Sequence, residues 1–163
     1  MYKRQSCSSS TTSATAGNIT IDFTTLSDAT YSNCTLYVTS STGVKGNTLS
    51  VTPFTVDTTA PSLSQATAVT TPTNDNTPSY AFSSNDAGTI SYGGSCSSGT
   101  TSASSGTNTI SLNTLSEGSH SCTITVTDSA GNASTALSVN TFVVDTTAPV
   151  SYTHLTLPTT PYV

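Results

Sequence analysis

Apolar and polar positions alternate along this chain in short runs that end at turn residues. In CTITVTD at 122–128, Cys122, Ile124 and Val126 point one way and the threonines the other, the period of two of a half-buried strand. The same reading predicts strands near 62–69, 78–84, 89–97, 108–113, 120–127 and 134–144, with a short one around 100–104. PTNDNTP at 72–78, NDAG at 85–88, SEGS at 116–119 and DSAGN at 128–132 supply the turns between them. No helix is expected, and no run of 18 apolar residues offers a membrane span.

The pattern occurs twice. SCSSSTTSATAG at 6–17 matches SCSSGTTSASSG at 95–106, CTLYVTSSTG at 34–43 matches CTITVTDSAG at 122–131, and both copies close on VDTTAP, at 56–61 and 144–149. The offset is 89 residues at the first cysteine and 88 at the closing Asp, so one residue is inserted before Cys34. That period exceeds any solenoid repeat and suits tandem sandwich domains of about 100 residues. The expected division is a first module over 6–57 that lacks its opening third, and a whole module over 58–149.

Composition sharpens this picture at the ends. Charged residues make up 7% of the 163 positions and the net charge is −5. Two of the three bases, Lys3 and Arg4, lie in MYKRQ at 1–5. That stretch and VSYTHLTLPT at 150–159 resemble the two strands of a transposon-end sequencing adapter in translation, so 1–5 and 150–163 are expected to carry no biology and to be poorly placed. Between them eight acids face the single Lys45. Such a chain has no electrostatic footprint for nucleic acid or anionic lipid. A divalent cation is its natural charged partner.

GTISYGGSCSS, LSEGSHSCTITVTDSAGNAS and VDTTAP together resemble the bacterial immunoglobulin-like repeats of large surface proteins and adhesins. The resemblance covers about 6–149. It implies an all-β fold of tandem Greek-key β-sandwiches, the first truncated at its N-terminus. It further implies a non-catalytic spacer in a secreted or cell-surface prokaryotic protein, an adhesin stalk whose partners are neighbouring modules and an unknown surface ligand. The chain departs from antibody-type domains, with no Trp and no cysteine on its second strand.

The four cysteines allow three connectivities. Because each copy brings its own pair, the repeat selects Cys7–Cys34 and Cys96–Cys122. In the sandwich reading Cys96 ends the third strand and Cys122 begins the sixth, side by side in one sheet. Oxidised cysteines imply an extracellular compartment. Zinc finds no CxxC and too few histidines.

Of the acids, Asp22 alone falls within an expected strand; the others sit in turns or at strand ends. Sandwich topology sends Asp57 toward the loops bearing Asp86, Asp128 and Asn132, and Asp145 toward the loop of Asn74, Asp75 and Asn76. Each pole gathers the carboxylate, amide and carbonyl oxygens that calcium (Ca2+) takes. The resemblance carries linker calcium onto Asp57, Asp86, Asp128, Asn132 and Asp145, with Asp75 beside the last. Asp and Asn also favour turns by capping their own backbone, the reading preferred for Asp28 and Glu117. In the first copy SSTGV at 40–44 replaces DSAGN and carries no such site.

His120 invites a Ser–His–Asp triad, yet no GxSxG elbow or helix accompanies it. It stands two residues before Cys122, where sandwich domains often place a corner tyrosine, and Tyr31 fills the equivalent place in the first copy. The sequons at Asn18, Asn33 and Asn132 arise readily in Asn/Ser/Thr-rich sequence. A carbohydrate-binding module, or an accessory module of a secreted hydrolase, is the alternative; the former would need Tyr80 and Tyr92 exposed, although both lie in apolar-alternating strands.

Overall fold

A computed structural model of the chain describes Cys7 and residues 13–151. MYKRQ and the tail beyond Ser151 lie outside the described residues. Every regular element among those described is a β-strand. The first unit holds β1 (Ala29–Tyr31), β2 (Thr35–Leu36), β3 (Leu49–Ser50) and β4 (Phe54–Val56). The second holds β5 (Leu63–Thr67), β6 (Ser79–Ser84), β7 (Gly88–Gly94), β8 (Ser102–Ala103), β9 (Gly106–Ser111), β10 (Gly118–His120), β11 (Cys122–Thr127), β12 (Leu137–Ser138) and β13 (Phe142–Val144).

In the second unit one sheet runs β5-β6-β9 and another β12-β11-β7-β8, while β10 pairs with β13. All these ladders are antiparallel. Tyr80, Phe82 and Ile110 from the first sheet meet Ile90, Ile124 and Val126 from the second in one buried cluster, closed by Phe142 and Val144. The alternation of β11 reappears as strict alternation of burial, with Cys122, Ile124 and Val126 inside. Gly94, at φ 76° and facing the Ser121 carbonyl, lets β7 approach β11 where a Cβ would collide.

Two expected strands are broken. The run 120–127 divides at Ser121, whose carbonyl accepts the Ser95 amide at 3.1 Å. The run 134–144 shrinks to β12 and β13 because Asn140 acts as a surrogate backbone rung. Its Oδ1 accepts the Val69 amide at 3.0 Å and its Nδ2 donates to the Val69 carbonyl at 2.9 Å. Asp22 lies outside any strand.

In the first unit β1 pairs with β4 and β2 with β3, as β10 does with β13 and β11 with β12. Tyr31 sits opposite Phe54 and His120 opposite Phe142. The Tyr31 hydroxyl donates to the Ser27 carbonyl at 2.9 Å, and His120 Nε2 meets the Ser116 carbonyl at 2.8 Å, each reaching four residues back. Because Nε2 faces a carbonyl, it donates there, and Nδ1 lies within hydrogen-bond distance of Ser95 Oγ at 3.1 Å. His120 therefore occupies a structural corner.

Both disulfides form within their own unit, with Cα–Cα distances of 5.6 Å for Cys7–Cys34 and 5.4 Å for Cys96–Cys122. Cys122 lies opposite Gly94, so the second bridge ties the end of β7 to the start of β11.

Candidate cation site at the linker

The DTTAP segment leaves β4 at Val56 and enters the second unit at a buried Pro61. Asp57 caps its own turn, its Oδ1 accepting the Thr59 amide at 3.0 Å. Asn132 reaches back from the second unit and donates Nδ2 to the Asp57 carbonyl at 3.0 Å, and Asn85 Oδ1 accepts the Ser62 amide at 2.7 Å. From the other side Asp28 accepts the Thr58 amide and both threonine hydroxyls.

At this junction Asp57, Asp86 and Asp128 come together, a carboxylate oxygen of each lying within 4.8 Å of the others. Two turns place the latter pair. Asp86 follows β6, held by Ser84, whose Oγ donates to the Asp86 carbonyl at 2.6 Å. Asp128 follows β11, and its Oδ1 accepts the Ala130 and Asn132 amides at 2.8 and 2.9 Å. The Asn132 side-chain carboxamide lowers the pKa of Asp128 most, with backbone donors at 130–132 adding to it against the burial of the group.

Three carboxylates in so small a space suit a hard cation that takes oxygen ligands. Asn132 enters differently from its sequence reading: its Nδ2 donates to Asp128 Oδ2 at 2.9 Å and to the Asp57 backbone carbonyl, so it ties a carboxylate to the linker through its donor end. At the opposite pole Asp145 lies near Thr73, whose carbonyl accepts its amide at 2.9 Å. Asp75 there caps the Thr77 amide and hydroxyl, and Asp145 caps the Thr147 amide. Among the described residues no third metal-ligating side chain joins these two. In the first unit Ser40 closes the loop equivalent to Asp128–Asn132 through its own hydroxyl and the Val44 amide, and Lys45 Nζ rests 3.9 Å from the Tyr37 ring centroid.

Asp28 and Glu117, read from the sequence as simple turn caps, hold more than their own turns. Glu117 does for Thr146 and Thr147 what Asp28 does for Thr58 and Thr59. Their equivalent placement ahead of the corner residue, in both copies, was the available signal. Threonine side chains are the leading cause that lowers both pKa values. With Asp128, these groups contribute stability that is complete above the unfolded carboxylate range and lost as pH falls through their lower folded values. Denaturant midpoints are accordingly expected to be level from pH 7 to 5 and to fall below about pH 4. A Glu117→Gln variant that keeps the whole acid-side drop would remove Glu117 from this account.

The second unit is thus a helix-free domain whose two sheets share one core and whose turns gather at its poles. The family model of the bacterial Ig-like domain matches residues 60–146, and the chain belongs to that family. Such domains are in general non-catalytic and typically occur in surface or extracellular proteins. None of the curated proteins compared with the chain matches it.

Proposed function

We propose that the chain is a length of stiff spacer: tandem Greek-key sandwiches in the stalk of a secreted or cell-surface prokaryotic adhesin, joined through a linker calcium site. The convergence of Asp57, from the linker, with Asp86 and Asp128, from the unit that follows, carries this reading. A cation held there would neutralise three like charges and cross-link the linker to the following unit. Asp57, Asp86 and Asp128 are the residues that would hold it, with Asn132 fixing the linker carbonyl beside them. The carbohydrate-binding alternative loses one of its aromatics, because Tyr80 is 1% exposed and cannot stack on a sugar. Tyr92 is half-buried against the core, its hydroxyl donating to the Thr100 carbonyl at 2.6 Å.

Calcium at about a hundredfold above its Kd is expected to raise the melting midpoint by roughly 5–15 °C over the EDTA-treated chain. Asp128→Ala should abolish the difference. An unchanged midpoint on adding EDTA would sink the calcium joint.

A further inference from the structure

We propose that Asp28 and Glu117 are latches that fix the direction in which the chain leaves each unit, and hence the angle at which the next one stands. This rests on the spacer reading and adds a second holding point, independent of any cation.

The same constellation is built twice from different residues. At the entry, the Thr58 amide and hydroxyl donate to Asp28 Oδ1 at 3.1 and 2.8 Å, and the Thr59 hydroxyl donates to Oδ2 at 2.7 Å. At the exit, the Thr146 amide and hydroxyl donate to Glu117 Oε1 at 3.2 and 2.6 Å. The Thr147 hydroxyl spans Oε1 and Oε2 of the same carboxylate at 2.7 and 2.9 Å. Both threonine pairs lie just past the last ladder residue, Val56 or Val144, where no neighbouring strand pairs with them. The carboxylate takes over from the sheet. Asp28 directly precedes β1, which is paired with β4, and Glu117 directly precedes β10, which is paired with β13. Each latch is thus referenced to the strand whose exit it controls. Charge-assisted bonds to a carboxylate are short and directional, which suits them to holding an angle. At the entry the second unit holds both ends of the same segment, Asn132 at the Asp57 carbonyl and Asn85 at the Ser62 amide, so residues 57–62 are gripped from both units.

Residual dipolar couplings on the full chain with saturating calcium test this. The wild type is expected to fit one alignment tensor across β1–β4 and β6–β11. Asp28→Ala, and separately the Thr58→Val/Thr59→Val pair, should each split it, shrinking the couplings of β1–β4 severalfold. Glu117→Ala supplies a local measurement that does not depend on the first unit's tolerance of substitution. Amide exchange at Thr146 should rise about tenfold, the loss expected for bonds to an ionised acceptor, while exchange at Ile124 stays fixed. A common tensor in the wild type and in every entry variant, or unaltered exchange at Thr146, overturns the latch and leaves the spacer standing. A wild type that needs two tensors even with calcium overturns both.

Discussion

Phe82→Ala is expected to destabilise the second unit by about 3–5 kcal/mol, the usual range for emptying an aromatic site in a closed core. Phe82 is 0% exposed and belongs to β6, the central strand of its sheet, with β5 on one side and β9 on the other. Its ring faces the opposite sheet, among Ile90, Ile124 and Val126. No backbone collapse can refill the space without breaking one of the two ladders. A domain of this size is stable by only about 5–15 kcal/mol in all, so the loss leaves little margin. Urea unfolding measures it directly. A change below about 1 kcal/mol would mean that Phe82 is not enclosed between the sheets.

Replacing Cys96 and Cys122 together by serine is expected to cost about 3 kcal/mol, the chain-entropy value for a closed loop of this length. The bridge spans a sequence separation of 26 and closes a loop that crosses from one sheet to the other and back. Its weight is greater here because the core has no Trp and aromatic residues are 7% of the chain. The reduced wild type should unfold at the midpoint of the double serine variant. If reductant leaves the wild-type midpoint in place, the bridge is not a principal source of stability.

The longer strands of the second unit were legible where apolar residues recur at a period of two, as β11 shows most plainly, whereas β6 buries Tyr80, Ala81 and Phe82 in succession. Breaks in the strands were not legible. Asn140 reads as an ordinary polar residue within a strand, and only the fold reveals Val69 within reach of its carboxamide. The meeting of Asp57, Asp86 and Asp128 was approachable through loop order alone, since topology sorts loops by pole. Which atom of Asn132 faces the linker depends on the hydrogen bonds around it, and spacing says nothing of those. Asp28 and Glu117 escaped for a related reason. A turn acid that caps its own backbone and one that grips a segment some 30 residues away look alike in sequence. Only the pairing of β1 with β4, and of β10 with β13, brings the threonines to them.

The bridge between Thr73 and Val144 runs parallel, unlike the ladders around it. Thr73 donates its amide to Val143 and its carbonyl accepts from Asp145, both at 2.9 Å, while Thr71 Oγ1 accepts the Val143 amide at 3.0 Å. Parallel neighbours have the start of one and the end of the other at opposite extremities. Tension applied through Pro61 and Asp145 would therefore slide these segments lengthwise past each other. The bonds would be loaded together, in shear, and would not peel open singly. The seam between Thr71–Thr73 and β13 would therefore resist extension as a set of bonds sheared side by side.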